Sequence, residues 1–289
     1  MKIFKKLSAF ILILFFLTGC ELNGNNMADI TIYTTTYPIN FLINSLYGNY
    51  SKVYSIYPTG VNIDSYNLSK RKLKEYSQSE LFVFNSLDKD RDYAVEMINL
   101  NKDLKVIDVT AGRMKYDYAI EELWLNPNNY LMMAENTKAG LAEYINNPYV
   151  VEEIDKKYQD LEYEISKLDA ELTEAISGGN YKIIVTDNDM FKFLEKYGLK
   201  VISLENNENF NNNKLEEVKN LISSNKIKYI YSTSSSSNDV VSNLIKETNI
   251  SLIQINSMRS IDGGISNSND NYITIMTNNI NALKKELYK

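Results

Sequence analysis

The sequence predicts an α/β protein built as two similar lobes with mainly parallel sheets, joined by one long backbone helix. Three features carry that expectation. Short β-rich runs alternate with amphipathic helical stretches, the pattern of βαβ units. The strand–turn–helix–strand order of residues 30–57 begins again at 182–204. Between the two copies runs a single unbroken helical periodicity. A chain of 289 residues, 44% hydrophobic and 24% charged, can form both lobes, and its composition argues against disorder.

Residues 1–19 read as a signal peptide. Lys2, Lys5 and Lys6 make a basic start, residues 7–17 are apolar, and Thr18-Gly19 precede Cys20. The apolar run rises only ~16 Å as a helix, short of a ~30 Å hydrocarbon core. Leu17-Thr18-Gly19-Cys20 resembles the lipobox of bacterial lipoproteins, with Cys20 as the lipidation site. Cleavage there removes three lysines and no acid, taking the formal charge from −6 to −9. Residues 20–28, rich in Asn and Gly, form a lipidated tether, and a diacyl anchor suffices for stable attachment.

The N-terminal lobe spans 29–146. Its expected strands are 30–33, 52–57, 81–84 and 105–109, with helices such as 39–47 and 69–76 between them. The linking helix spans 147–179. Ile154, Tyr158, Leu161, Ile165, Leu168, Leu172 and Ile176 recur every three or four residues, and Gly178-Gly179 ends the run. A helix over 149–177 is ~43 Å long and reads as a strut along both lobes. The C-terminal lobe spans 180–289. Strands are expected at 182–185, 200–204, 227–231, 251–255 and 272–276, with helices at 190–197, 239–247 and 277–287.

Composition removes whole classes of chemistry. There is no histidine, so there is no Ser-His-Asp triad, no Cys-His pair and no imidazole-bound metal. One cysteine forms no internal disulfide. Acids outnumber bases 37 to 31, which disfavours nucleic acid. Neither a Gly-x-Ser-x-Gly nor a phosphate-loop motif is present, and the chain is not read as an enzyme.

Ligands of open α/β sheets bind beyond the carboxyl ends of the strands, so those segments hold the candidates. They include Asp64 after the second strand, Glu122 beside Glu121, and the run Asp187, Asn188, Asp189. Thr233 and Ser234 open a serine run at a helix start, where anions are favoured. Asn256 and Arg259 follow a late strand, and Arg113 follows the fourth. Local roles compete: an aspartate in a turn bonds its own backbone, and Asn188 is placed to cap a helix.

At these residues the chain resembles the metal-receptor lipoproteins of bacterial ABC importers, the TroA-like solute-binding proteins. Their Gly-x-x-x-His-x-Tyr-x-x-Ser is matched by Gly60, Tyr66 and Ser69, with Asp64 at the His position. Their His-x-Trp-Leu-Asp-Pro is matched by Trp124, Leu125 and Pro127, with Glu122 for His and Asn126 for Asp. Phe191 and Gly198 match a third motif, with Asn188 at its ligand position, and Asn256 takes the place of a late Asp. The resemblance covers nearly all of the mature chain and implies the TroA-like fold, with small, stiff motions along the long helix.

It further implies a monomeric receptor, lipid-anchored outside the cell membrane, which serves an ABC permease and its ATPase. The metal positions it points to are Asp64, Glu122, Asn188 and Asn256. Such a set offers only oxygen, which favours manganese as the transported ion over zinc, with iron also open. The His-rich loop common in zinc-specific relatives is missing before Glu121. Two other readings stand beside it: a small anionic or zwitterionic solute held by Arg113 or Arg259, and an adhesin-like or degenerate lipoprotein. The metal reading needs carboxylates that converge; the second needs an arginine in the cleft.

Overall fold

The structure is a computed structural model, and it describes residues 27–112, 115–207, 210–233, 238–259 and 271–289. Strands β1 (Ile30–Thr34), β2 (Ser51–Ser55), β3 (Leu81–Phe84) and β4 (Lys105–Asp108) form one sheet. Its order is β2-β1-β3-β4, and every pairing is parallel. Strands β5 (Ile183–Thr186), β6 (Lys200–Ser203), β7 (Tyr229–Ser232) and β8 (Ser251–Gln254) form a second parallel sheet. Its order, β6-β5-β7-β8, repeats the first. The two sheets thus have the same topology, as the repeated sequence order implies.

Parallel pairing requires a crossover after each strand, and helices supply most of them. In the first lobe these are α1 (Tyr37–Tyr47), α2 (Lys70–Tyr76) and α3 (Asp90–Leu100). After β4 come α4 (Glu122–Leu125) and α5 (Pro127–Tyr144), and then α6 (Pro148–Gly178). The second lobe uses a 3-10 helix (Asp189–Tyr197), α7 (Asn212–Ser223) and α8 (Asp239–Thr248), and it closes on α9 (Tyr272–Leu287). None of the helices among the described residues is long and apolar enough to cross a membrane.

The linking helix α6 has 31 residues, which spans ~46 Å. Its periodic apolar residues, from Ile154 to Ile176, are all buried. They join one core that includes Ile39 and Leu42 of the first lobe and Leu283 and Leu287 of the second. Burying that stripe against both lobes restrains their relative motion. Gly140 of α5 shows how closely the layers approach: an added Cβ would lie 2.7 Å from a methylene carbon of Ile107 on β4.

The expected strand at 272–276 is instead the first turn and a half of α9. Ile, Thr and Tyr in that segment suggest a strand, yet Asn271 and Thr274 form a reciprocal capping box that starts a helix. Tyr272, Ile275, Met276, Asn279, Ile280 and Leu283 then face the core at helical spacing. Residues 190–197 are helical as expected, in the 3-10 form, and Gly198 ends the helix at φ 97°.

Asp90, at the start of α3, is a buried acid bonded by the Tyr57 hydroxyl at 2.6 Å. Burial pushes its carboxyl up to about 6, and the Tyr57 donor only partly offsets that. The folded value exceeds the ordinary one, so its contribution to stability is full below about pH 4 and is lost as pH rises through 6. The difference is worth on the order of 3 kcal/mol. Asp90→Asn should therefore hold or raise stability at pH 8 without raising it at pH 4, as urea melts at both pH values would measure. Equal destabilisation at the two pH values would contradict this.

Candidate functional site

All parallel strands of one sheet point their carboxyl ends the same way, so the segments after them gather at one edge. The two edges face each other across a cavity of about 260 Å³, with Asp64 and Glu121 on one side and Asn188, Asp189, Glu205 and Thr233 on the other. Ser257 and Arg259, from the segment after β8, also line it.

Arg259 is aimed by its own loop. The Asn256 side chain accepts the Met258 N–H at 2.8 Å, and Asn279 of α9 bonds the Asn256 backbone in both directions. Met258 is fully buried at φ 56°, a left-handed turn that reverses the chain before Arg259. The Trp124 indole N–H donates to the Ser257 carbonyl at 2.7 Å, tying this loop to the other lobe. The Tyr272 hydroxyl donates to the Trp124 carbonyl at 2.6 Å, and its ring stacks on Tyr130 at 3.9 Å.

From that loop the Arg259 guanidinium reaches three carboxylates of the opposite lobe. Its Nη2 bonds Asp64 and lies 3.2 Å from Asp88, and its Nη1 lies 3.6 Å from Glu121. Burial alone would lower the guanidinium pKa, but Glu121, Asp64 and Asp88 outweigh it and the net direction is up. Burial raises Glu121, and Arg259 opposes that rise. Nε and Nη1 are buried and make no hydrogen bond among the described residues.

The loop carrying Asp64 is held from below. The Lys89 ammonium donates to the carbonyls of Ile63 and Tyr66, and Gly60 turns the chain at φ 76°. Asn62, not Asp64, makes the local side-chain turn, accepting the Asp64 N–H at 2.9 Å. That leaves the Asp64 carboxylate to face Arg259. Across the cavity, Asp189 accepts from the Asn207 amide at 3.0 Å and gives its N–H to Glu205 at 2.9 Å. Burial raises the Glu205 carboxyl; the Asp189 N–H opposes that rise, and the Asp189 carboxylate adds to it.

The residues expected from sequence are thus divided. Asp64, Asn188, Asp189, Thr233 and Arg259 share the cavity, but Asn188 also caps the 3-10 helix by accepting the Met190 N–H at 3.1 Å. Asp187 is buried beside it and bonded by the Ser232 hydroxyl. Asn256 is engaged in its own turn and with Asn279. Glu122, only 1% exposed, faces Lys196 at 3.2 Å and accepts the Asp117 N–H at 2.9 Å. Successive residues of a helical turn point about 100° apart, so Glu121, the residue just before α4 with helical backbone angles, takes the cavity side. Cys20, Arg113 and Ser234 lie outside the described residues.

Glu205, which lines the cavity, and Asp88, which pairs with Arg259, are acids that sequence inspection missed. Each follows a strand end, β3 and β6, so a survey of every strand end would have found both. No group of three or more acids among the described residues is close enough to hold a metal ion as placed. Asp64, Asp88 and Glu121 converge on Arg259 instead.

Residues 32–286 match a family model described as the zinc-uptake complex component A, periplasmic, and the chain belongs to that family of solute-binding proteins. It is 23% identical to the zinc-binding lipoprotein AdcA of Streptococcus pneumoniae over 294 aligned positions, covering 93% of this chain and 58% of AdcA. It is 25% identical to the iron-binding protein YfeA of Yersinia pestis over 250 positions, covering 80% of this chain and 79% of YfeA. The Zn(II)-bound ZnuA-like domain of AdcA superposes with a TM-score of 0.73 at 22% identity, covering 90% of this chain and all of that domain. The chain therefore spans a little over half of AdcA and matches its ZnuA-like domain in fold.

Glu122 held by Lys196 reads as part of the scaffold. Glu122→Gln should lower stability by about 1–2 kcal/mol, because Lys196 is half-exposed and the pair is partly screened. Binding of a divalent cation, followed by calorimetry, should persist in this variant. Loss of binding with no loss of stability would return Glu122 to the cleft.

Proposed function

We propose that this chain is the lipid-anchored extracytoplasmic receptor of an ABC importer, and that its cargo is a hard divalent cation held by oxygen donors. Family membership supports the receptor role, and the relatives named for zinc and iron binding support a metal cargo. Cys20 in its lipobox is the proposed anchor, and the mature body is a monomer that docks on a permease driven by an ATPase.

The observation that carries the choice of cargo is the charge of the cavity. Among the described residues, four carboxylates, from Asp64, Glu121, Asp189 and Glu205, line it against one guanidinium, leaving a formal charge of minus three. Such a cleft attracts cations and repels anions. With neither imidazole nor thiolate among its lining residues, it matches manganese, magnesium or calcium better than zinc. Manganese is the first choice, because its donor preference spans carboxylate and carbonyl oxygen and it is close to the relatives' transition metals. Asp64 and Glu121 would grip it from one lobe and Asp189 and Glu205 from the other, with Asn188 supplying an amide oxygen. Closure of the lobes on cargo and release at the permease follow the rigid-body repertoire, damped by α6.

A second reading rests on Nε and Nη1 of Arg259, which make no hydrogen bond among the described residues and suit the carboxylate of a zwitterion whose ammonium meets Asp189 and Glu205. The net negative charge ranks it below the cation.

Thermal unfolding of the chelator-stripped body against a divalent-metal panel separates the two. A cation at 100 times its dissociation constant should add ~2.7 kcal/mol, strongest with manganese. Asp64→Ala with Glu121→Ala should abolish the effect. No stabilisation by any metal, with stabilisation by an amino acid, would transfer the proposal to the zwitterion.

A further inference from the structure

We infer that Arg259 is a tethered counter-cation: its guanidinium fills the cation subsite of the cleft before cargo arrives, and incoming metal must displace it. The inference rests on the cation reading above and adds the residue that sets its affinity and selectivity.

Three features of the geometry point this way. Arg259 is the basic residue among the described residues lining the cavity, and it stands among carboxylates that a cargo cation would use, Asp64 and Glu121. Among the described residues, its own lobe does not hold it there by hydrogen bonds from the guanidinium, and the groups it reaches, with Asp88, belong to the opposite lobe. The grip is incomplete, because Nη1 stays 3.6 Å from Glu121 and neither Nε nor Nη1 has a hydrogen-bond partner among the described residues. An arginine built only for structure would engage its fork in bidentate pairs.

An incomplete grip suits a displaceable group. Four carboxylates lining one cavity of about 260 Å³ repel each other, and a resident positive charge relieves that repulsion. The Asp64 side chain is 66% exposed, so solvent weakens this arm of the pairing, whereas the Glu121 side chain at 16% is desolvated. A divalent ion brings twice the charge to the same oxygens and meets the geometry that the guanidinium leaves unmet. A monovalent ion brings no more charge than Arg259 already supplies, so the device rejects sodium and potassium. Because Arg259 comes from the second lobe and its partners from the first, its release also frees one interlobe link as cargo forms another.

Isothermal titration of the purified full chain with manganese(II) and calcium(II) tests this, comparing wild type with Arg259→Gln and Arg259→Met. Affinity should rise at least tenfold in both variants, and sodium should begin to compete. Equal or weaker binding in folded variants would overturn the inference and leave the cation cargo standing. Binding by the variants alone would overturn the inference, because no metal would then displace Arg259 in the native protein. Absence of binding in all three would remove both. If neither variant folds, the Arg259 Nε–H resonance of the wild type decides. Calcium should move it towards the free-arginine position along the binding curve, and a fixed resonance at saturation would overturn the inference.

Discussion

The mutual hold between Trp124 and the second lobe is the constraint on which the cleft depends. The Trp124 indole donates to the Ser257 carbonyl, and the Trp124 carbonyl accepts the Tyr272 hydroxyl, so a single residue of the first lobe is bonded twice to the other. Trp124 is fully buried, and its two bonds replace water contacts that a buried indole N–H and carbonyl would otherwise lose. Everything on the cleft side follows. Fixing Ser257 fixes the turn through Met258, and the turn aims Arg259 across the interface at Asp64, Asp88 and Glu121. Helix α6 provides the longer lever, packing one apolar stripe against both lobes. The cleft is thus shaped by rigid elements, while the groups inside it are charged and only partly satisfied.

Much of the scaffold was legible in the sequence because it rests on periodicity. The four- and three-residue spacing from Ile154 to Ile176 marks α6, and strand–helix alternation marks both sheets. The segment at 272–276 was misread because Tyr, Ile and Thr favour strands, while the decisive signal was the cap Asn271–Thr274. Buried spacing at Tyr272, Ile275, Met276 and Asn279 is helical. A cap and a period together outweigh intrinsic preference.

The site was less legible, for a different reason. Sequence order places a residue near a strand end but does not say which way its side chain turns. Glu121 and Glu122 are adjacent acids, and only the geometry of one helical turn separates the cavity group from the partner of Lys196. Asn256 stands at a ligand position of the resemblance but serves the turn that delivers Arg259, three residues later. Asp88 depends on β3 lying beside β1, a pairing no local pattern reveals. The absence of histidine is visible at once, whereas the placement of an arginine in the cleft is a matter of folding.

The chain therefore keeps the two-lobed frame of its family and carries between the lobes an acidic cavity with a guanidinium of its own. A crystal of the chain soaked in manganese, with anomalous scattering collected above and below the manganese edge, addresses that account most directly. A peak between Asp64, Glu121, Asp189 and Glu205, with the Arg259 guanidinium turned out of that position, is the predicted result. Full occupancy of the position by Arg259 at saturating manganese, or a peak centred on Glu122 and Asn256, would contradict it.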